Sequence, residues 1–72
     1  MIWEEYSSFD SSNIQLLRYN LAASILEVTF YNGGIYQYFD VPQHEWENFK
    51  SADSKGKFLH NNIKGHYRCS KV

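Results

Sequence analysis

Three histidines and one cysteine are the side chains of this sequence best suited to bind a metal or to carry out catalysis. His44, His60 and His66 include no pair at the i, i+4 spacing of a zinc-binding helix, and Cys69 has no second cysteine beside it. None of the serines stands in a Gly-x-Ser-x-Gly sequence, which would mark a nucleophile. The sequence therefore predicts no metal site, no cofactor and no enzymatic activity.

A short lysine-containing segment, Ser54-Lys55-Gly56-Lys57, resembles a phosphate-binding loop only in part. It lacks the remaining glycines of such a loop and the strand that should precede it. A helix beginning here would still place two lysines near its positive end, where an anion can bind. The segment is therefore a candidate for anion contact and not for nucleotide hydrolysis.

Charge is distributed unevenly along the chain. Residues 1–49 contain seven acidic residues and one basic residue, a net charge of −6, whereas residues 50–72 contain six basic residues and one acidic residue, a net charge of +5. Such a division indicates either an anion-binding surface or attraction between the two halves of the folded chain. The sequence leaves both interpretations open.

Two tyrosines, Tyr36 and Tyr38, are separated by one residue and follow a glycine turn. In a strand they point to the same face. They could stack on nucleobases, or they could pack under helices against residues such as Trp46 and Phe58. A chain of 72 residues needs every apolar contact, which favours a core role for at least one of them.

Three segments have the character of β-strands, and they comprise residues 14–19, 25–31 and 35–39. Apolar and polar residues alternate from Leu26 to Phe30, as expected for a strand with one buried face. Asn32-Gly33-Gly34 supplies residues that tolerate positive φ and predicts a hairpin turn between the second and third strands. If the tyrosines are buried, the opposite face of the sheet carries Ile35 and Phe39 with Gln37 and Thr29, an open face of mixed polar and apolar character that could meet a partner.

Two helices are predicted after the strands. Pro42 suits the first turn of a helix, in which Trp46 and Phe49 provide an apolar side. Ser54 can cap a second helix, whose buried side extends to Ile63. The elements predict an α+β fold, a small antiparallel three-stranded β-meander followed by two helices packed on one face, in the order β-β-β-α-α.

The whole chain, residues 1–72, is expected to form one domain, because its length does not permit two cores. Residues 1–10 are expected to be an irregular or extended lead-in, and residues 68–72 a basic tail. The single cysteine fits a reducing compartment, and the sequence contains no signal peptide and no apolar run of membrane-spanning length. These features predict a cytoplasmic protein with no membrane contact.

The order and spacing of several residues resemble the KTSC domain, a family that forms the C-terminal domain of some lysyl-tRNA synthetases and also occurs as short stand-alone bacterial proteins. The resemblance covers residues 11–67 and rests on Ser11-Ser12-Asn13-Ile14, Leu17-x-Tyr19, Tyr36-Gln37-Tyr38, Val41-Pro42, Ser54, Gly56, Phe58, Ile63 and Tyr67. Asn20, Leu59 and His60 depart from the family pattern. The resemblance implies a module without a catalytic set, and RNA binding has been proposed for the family from its attachment to a synthetase.

The leading hypothesis is a small non-catalytic module that binds nucleic acid, and RNA in particular. The proposed contacts come from a basic C-terminal helical face and from the two strand tyrosines, namely Lys55, Lys57, Lys64, Arg68, Lys71, Tyr36 and Tyr38. The alternative is a protein-protein interaction module, an adaptor or an inhibitor of the kind that mobile elements carry. It would use exposed aromatic residues, namely Trp3, Tyr6 and Phe9, and a free sheet edge to bind a protein partner or a second copy.

Overall fold

The computed structural model describes residues 3–72, in which one antiparallel sheet carries helical segments on one face. Five strands follow one another across the sheet in chain order. They are β1 (Trp3–Tyr6), β2 (Ile14–Asn20), β3 (Ile25–Phe30), β4 (Ile35–Tyr38) and β5 (Cys69–Lys71). The predicted α+β class and the antiparallel meander are confirmed.

The predicted number of strands was wrong, because the sheet has five strands and not three. Part of the expected lead-in forms β1, which pairs with β2, and part of the expected basic tail forms β5, which pairs with β4. Both additions are short edge strands with many exposed side chains, so their own patterns of polarity do not reveal them. Met1 and Ile2, at the start of the predicted lead-in, lie outside the described residues.

The inner face of the sheet is built from two rows of cross-strand neighbours. Leu17 lies opposite Val28, and Val28 lies opposite Tyr36. In the second row, Leu26 lies between Tyr19 on β2 and Tyr38 on β4. Opposed residues of antiparallel strands point to the same face, so the alternation seen in the sequence places these side chains toward the helices. Leu17, Leu26 and Val28 are fully buried.

The hairpin between β3 and β4 closes as its glycines predict. Gly33 has a φ of 93°, a conformation that favours glycine. The amide of Gly33 donates to the carbonyl of Phe30 at 3.0 Å, and that of Phe30 donates to the carbonyl of Gly34 at 2.8 Å. The Oδ1 atom of Asn32 accepts a hydrogen bond from the amide of Gly34 at 2.9 Å. The backbone of the turn therefore fixes the orientation of the Asn32 side chain.

Helix α1 (Gln43–Ser51) follows Pro42 and buries Trp46 and Phe49 against the sheet. Helix α2 (Lys55–Phe58) is capped by Ser54, whose hydroxyl accepts from the amide of Lys57 at 3.2 Å. It continues as a wider π-helical turn, Leu59–Ile63, so the second predicted helix is irregular over half its length. The π-helical turn buries both of its end residues. Within residues 3–72, neither helix has the length and apolar character needed to cross a bilayer.

One buried hydrogen bond joins the sheet to the bend that leads into α1. The hydroxyl of Tyr19 donates to the carbonyl of Val41 at 2.6 Å, and both residues are buried. The ring of Tyr19 stacks on that of Trp46 with centroids 5.5 Å apart. The same side chain therefore contributes apolar area and a fixed polar contact to the junction between the two layers.

Replacing Tyr19 by phenylalanine keeps the stacked ring and leaves the carbonyl of Val41 buried without its donor. We expect Tyr19→Phe to lower the free energy of unfolding by about 1–3 kcal/mol, measured by urea denaturation. Tyr31→Phe is the matched control, because Tyr31 is 63% exposed. Equal stabilities for the two variants would contradict the assigned role of the Tyr19 hydroxyl.

Strand β1 is attached to the helical layer through one carboxylate. Glu4 accepts hydrogen bonds from Nζ of Lys50 at 2.6 Å and from Nε1 of Trp46 at 3.1 Å. The bond from Lys50 and then the bond from Trp46 lower the pKa of Glu4 below its ordinary value of 4.5. A carboxylate whose pKa falls on folding stabilises the fold above its unfolded pKa, and this contribution disappears as the pH drops.

Replacing Glu4 by glutamine removes the charge that Lys50 contacts. We expect Glu4→Gln to lower the free energy of unfolding at neutral pH by less than about 1 kcal/mol, because the carboxylate is largely exposed. The difference from the wild type should shrink as the pH falls below about 4.5. Glu47→Gln is the control, since Glu47 contacts the same amine from within α1. Amide hydrogen exchange in β1 should accelerate in Glu4→Gln and not in Glu47→Gln. A stability difference between Glu4→Gln and the wild type that does not change with pH would contradict the assigned role of the Glu4 carboxylate.

Candidate functional site

A groove of about 850 Å³ opens on the helical side of the sheet, between the β3–β4 hairpin and β5. Its volume lies toward the upper end of the range found for small-molecule sites. Four aromatic residues line it, namely Phe30, Tyr31, Tyr36 and Tyr38. We call this feature the aromatic groove. It exists because the helical layer covers the inner face of β2 and β3 more completely than that of β4.

The two tyrosines singled out by the sequence occupy different positions in this groove. Tyr38 is 3% exposed and belongs to the core. Burial raises the pKa of the Tyr38 hydroxyl, with smaller contributions from Cys69 and Tyr36. Tyr36 is half-buried, and its ring meets that of Phe30 edge to face with centroids 5.8 Å apart. Tyr38 therefore belongs to the core beneath the groove, whereas Tyr36 lines the groove with part of its ring accessible to a ligand.

Polar side chains line the groove beside the rings. Asn13 comes from the loop before β2, Asn32 from the β3–β4 turn, and Lys64 from the residues after the π-helical turn. Cys69, an exposed free thiol, lies opposite Tyr38 on β5. No carboxylate from residues 3–72 lines the groove. The composition of the groove therefore suits a planar ligand that is neutral or negatively charged.

The predicted basic residues do not form one face. Lys64 lines the groove, and Lys71 lies opposite Tyr36 on β5, so its side chain leaves the sheet on the groove side. Lys57 is exposed on α2. Arg68 is ion-paired with Asp40 at 3.0 Å. Of the predicted cations, Lys64 therefore lines the aromatic groove, and Lys71 lies on the neighbouring strand, on the same side of the sheet.

Lys55 differs from the exposed phosphate contact that the sequence suggested, because it is only 6% exposed. Its amine donates to the carbonyl of Ala52 and lies 5.7 Å from the ring centroid of Tyr6 and 5.6 Å from that of Phe9. The long side chain closes the gap between the N-terminal segment and α2. Lys55 therefore stabilises the fold and does not present its charge to a ligand, and Tyr6 and Phe9 are occupied in the same contact.

Ion pairs explain part of the charge asymmetry between the two halves of the chain. Lys50 bonds to Glu4, and Arg68 bonds to Asp40, so these two cations neutralise acids of the first half. Within the described residues, Lys57, Lys64 and Lys71 form no ion pair with a carboxylate. Attraction between the two halves therefore accounts for part of the asymmetry, and the anion-binding surface stays a prediction.

A second feature lies on the face of the sheet that carries no helix among residues 3–72, and the sequence analysis did not predict its ion pairs. Arg18 donates to both carboxylate oxygens of Glu27 at 3.1 and 3.3 Å, and Gln37 donates to the same carboxylate at 3.0 Å. Arg18 also approaches Glu5 at 3.6 Å and lies 4.4 Å from the ring centroid of Trp3. The hydrogen bond to Glu27 raises the pKa of Arg18. We call this row the polar ladder.

The polar ladder had a signal in the sequence. Arg18, Glu27 and Gln37 are polar residues at strand positions that face away from the core. The registers of β2, β3 and β4 place them side by side. Half-buried apolar residues flank the row, including Ile25, Ile35 and Phe39. The expectation of an open face of mixed character is consistent with this arrangement. No group of three or more metal-ligating side chains occurs among residues 3–72.

Comparison with known proteins identifies the family. The KTSC domain pattern matches residues 10–67. A lysine–tRNA ligase of Nostoc sp. is 37% identical over 63 residues, which cover 88% of this chain and 11% of the ligase. A protein of Tsukamurella paurometabola is 32% identical over 60 residues, which cover 83% of this chain and 90% of that protein.

The structural comparison agrees with the sequence comparison. The crystal structure of a KTSC domain protein from Yersinia pestis has a TM-score of 0.90 and 37% sequence identity to this chain, and the match covers 97% of each chain. The residues that suggested the family therefore lie in a fold that a solved member shares over nearly its entire length. The chain belongs to the KTSC domain family.

Proposed function

We propose that this chain is a small non-catalytic module that binds single-stranded RNA in the aromatic groove. The observation that carries the proposal is the combination of four aromatic rings, no lining carboxylate among the described residues, and a lining lysine, Lys64, that has no acidic partner there. Lys71, also without an ion pair among residues 3–72, lies beside the groove opposite Tyr36. Bases would stack on the accessible rings, and the phosphates between them would contact Lys64 and Lys71.

The aromatic rings provide the first part of the binding energy. Tyr31 is 63% exposed and Tyr36 is half-exposed, so both rings can be reached without unfolding the core. Stacking of a base on an aromatic side chain contributes about 1–3 kcal/mol and tolerates any base. Single-stranded RNA exposes its bases for such contacts, whereas a duplex hides them. The groove therefore favours unpaired over paired nucleic acid.

The unpaired lysines provide the second part of the binding energy. A phosphate that approaches Lys64 or Lys71 does not have to displace a carboxylate, because neither lysine is in an ion pair with residues 3–72. Contacts of this type release counterions from the nucleic acid, so binding weakens as salt is added. The overall charge of −1 does not oppose this, since several acids are neutralised within the fold.

One relative supports the same conclusion by association. The Nostoc protein is named a lysine–tRNA ligase, so a domain related to this chain forms part of a protein that handles an RNA. This chain spans 11% of that ligase, and an attachment does not by itself supply a mechanism. The relative therefore adds to the chemical argument from the groove and does not replace it.

The polar ladder favours a second candidate function, a protein-protein interaction module that acts as an adaptor or an inhibitor. The ladder and its apolar neighbours form a sheet face that no helix of residues 3–72 covers, with Trp3 at one side. Within the described residues the edge strands are β1 and β5, with four and three residues, and such short edges are poor templates for strand addition. A protein partner would therefore bind the face of the sheet. Binding to that face would leave the aromatic groove free.

The lysines at the groove are tested by removing two charges at a time. We expect Lys64→Gln with Lys71→Gln to weaken binding of a fluorescent single-stranded RNA, measured by anisotropy. The slope of log affinity against log salt should fall by about 0.7 for each lost phosphate contact. Lys50→Gln with Arg68→Gln removes the same charge from residues already in ion pairs and should change the slope much less. Equal effects of the two double variants would overturn the proposed position of the RNA.

Cys69 offers a test that needs no substitution, because it is the only cysteine and lines the groove. We expect saturating single-stranded RNA to slow alkylation of Cys69 by neutral iodoacetamide, followed by mass spectrometry. Urea-unfolded protein with the same RNA is the control for direct effects of RNA on the reagent. An unchanged rate for the folded protein at saturation would place the RNA elsewhere.

A further inference from the structure

We infer that the aromatic groove selects bases that present carbonyl oxygens, namely uracil and guanine, over bases that present amino groups at the same positions. This inference rests on the proposed RNA binding and deepens it, since stacking alone does not distinguish bases. The selection comes from Asn13 and Asn32, two groove-lining side chains whose carboxamides are held in one orientation by the fold.

The orientation of Asn32 follows from a backbone donor. The amide of Gly34 lies 2.9 Å from Oδ1 of Asn32, and a backbone N–H can only donate. The oxygen end of the carboxamide therefore faces the turn. The Nδ2 end has no acceptor among residues 3–72, which leaves its two protons available to a ligand. The tight turn at Gly33 keeps this arrangement in place.

The orientation of Asn13 follows from the bonds made by Ser11. The Ser11 hydroxyl oxygen accepts from the amides of Asn13 at 3.4 Å and Ile14 at 3.1 Å. With its oxygen so occupied, the hydroxyl has its proton left to donate, and the atom within reach is Oδ1 of Asn13 at 3.1 Å. The oxygen of this carboxamide is therefore also used internally. The Nδ2 group of Asn13 is again left without an acceptor among the described residues.

The fixed polar groups of the groove are thus donors. Two carboxamide NH2 groups and the ammonium group of Lys64 can donate, and no lining carboxylate from residues 3–72 can accept. The hydroxyls of Ser12 and the tyrosines can rotate to serve either role. A ligand whose edge carries acceptors satisfies the fixed groups, whereas one whose edge carries amino protons places donor against donor.

This distinction separates the bases into two classes. Uracil carries a carbonyl oxygen at C4 where cytosine carries an amino group, and guanine carries one at C6 where adenine carries an amino group. The groove is open to water, so a mismatched donor can still be hydrated and the penalty stays moderate. We expect a preference of about three- to tenfold within each pair, from the net contribution of one or two hydrogen bonds.

Two pairs of oligonucleotides compare a carbonyl-bearing base with an amino-bearing base of the same size. Octamers of uridine and cytidine compare two pyrimidines, and octamers of inosine and adenosine compare two purines, with affinity measured by anisotropy at fixed salt. Tighter binding of the uridine and inosine octamers is the expected result. Equal or reversed affinities within the pairs would overturn the base selection and leave RNA binding intact. Failure of all four octamers to bind would overturn the proposed RNA binding, and the selection with it.

A substitution at Asn32 tests the atoms responsible. Asn32→Asp keeps an oxygen for the amide of Gly34 and replaces the NH2 donor by an acceptor, so the ratio of uridine to cytidine affinity should fall toward one or reverse. Asn61→Asp introduces the same charge at an exposed residue that does not line the groove. It should weaken all octamers alike and leave the ratio unchanged. An unchanged ratio in Asn32→Asp, with thermal unfolding showing an intact fold, would overturn the role of the carboxamide.

Discussion

The stack of Tyr19 on Trp46, with the Tyr19 hydroxyl held by the carbonyl of Val41, determines where the helical layer lies on the sheet. It joins the second strand to the first helix and to the bend between sheet and helices. The layer is then centred over β2 and β3, whose inward residues are buried. The helical layer covers strand β4 less completely, and Tyr36 on this strand remains half-exposed. The aromatic groove is a consequence of this placement.

The distribution of charge follows from the same arrangement. Bringing α1 over β1 places Lys50 against Glu4, and closing β5 against β4 places Arg68 beside Asp40. On the opposite face of the sheet, Glu27 neutralises Arg18 within the polar ladder. Each pairing removes an acid of the first half from competition with an anionic ligand. Among residues 3–72, the cations without an ion pair include Lys64, which lines the aromatic groove, and Lys71, which lies opposite Tyr36.

The sequence predicted the central part of this structure well, for physical reasons that act locally. Alternation in β3, the glycine turn at residues 33–34 and the proline before α1 depend on neighbours in the chain, and each was confirmed. The edge strands β1 and β5 escaped prediction, because an edge strand is stabilised by hydrogen bonds to a distant partner and its own polarity pattern is weak. The π-helical turn escaped prediction because nothing in its sequence distinguishes it from an α-helix.

The sequence could select candidate residues by their chemical type, but it could not predict their positions or exposure. Tyr36, Lys64 and Lys71 were chosen for chemistry that suits nucleic acid; Tyr36 and Lys64 line one groove, and Lys71 lies opposite Tyr36 on β5. Lys55 was chosen on the same grounds, but it is buried against two aromatic rings that the sequence did not place near it. The carboxamides of Asn13 and Asn32 went unnoticed, since their orientation depends on hydrogen bonds within loops. Residue type can thus indicate the class of ligand, whereas accessibility and direction require the fold.

Chemical-shift mapping of the isotope-labelled protein with single-stranded RNA at near-physiological salt tests the central claim most directly, because it observes the groove and the polar ladder in the same spectra. The proposed function predicts shifts at Asn32, Tyr36 and Lys64 that persist at this salt concentration, with little change at Arg18 and Gln37. Shifts confined to the polar ladder, or none that persist at this salt concentration, would contradict RNA binding in the aromatic groove.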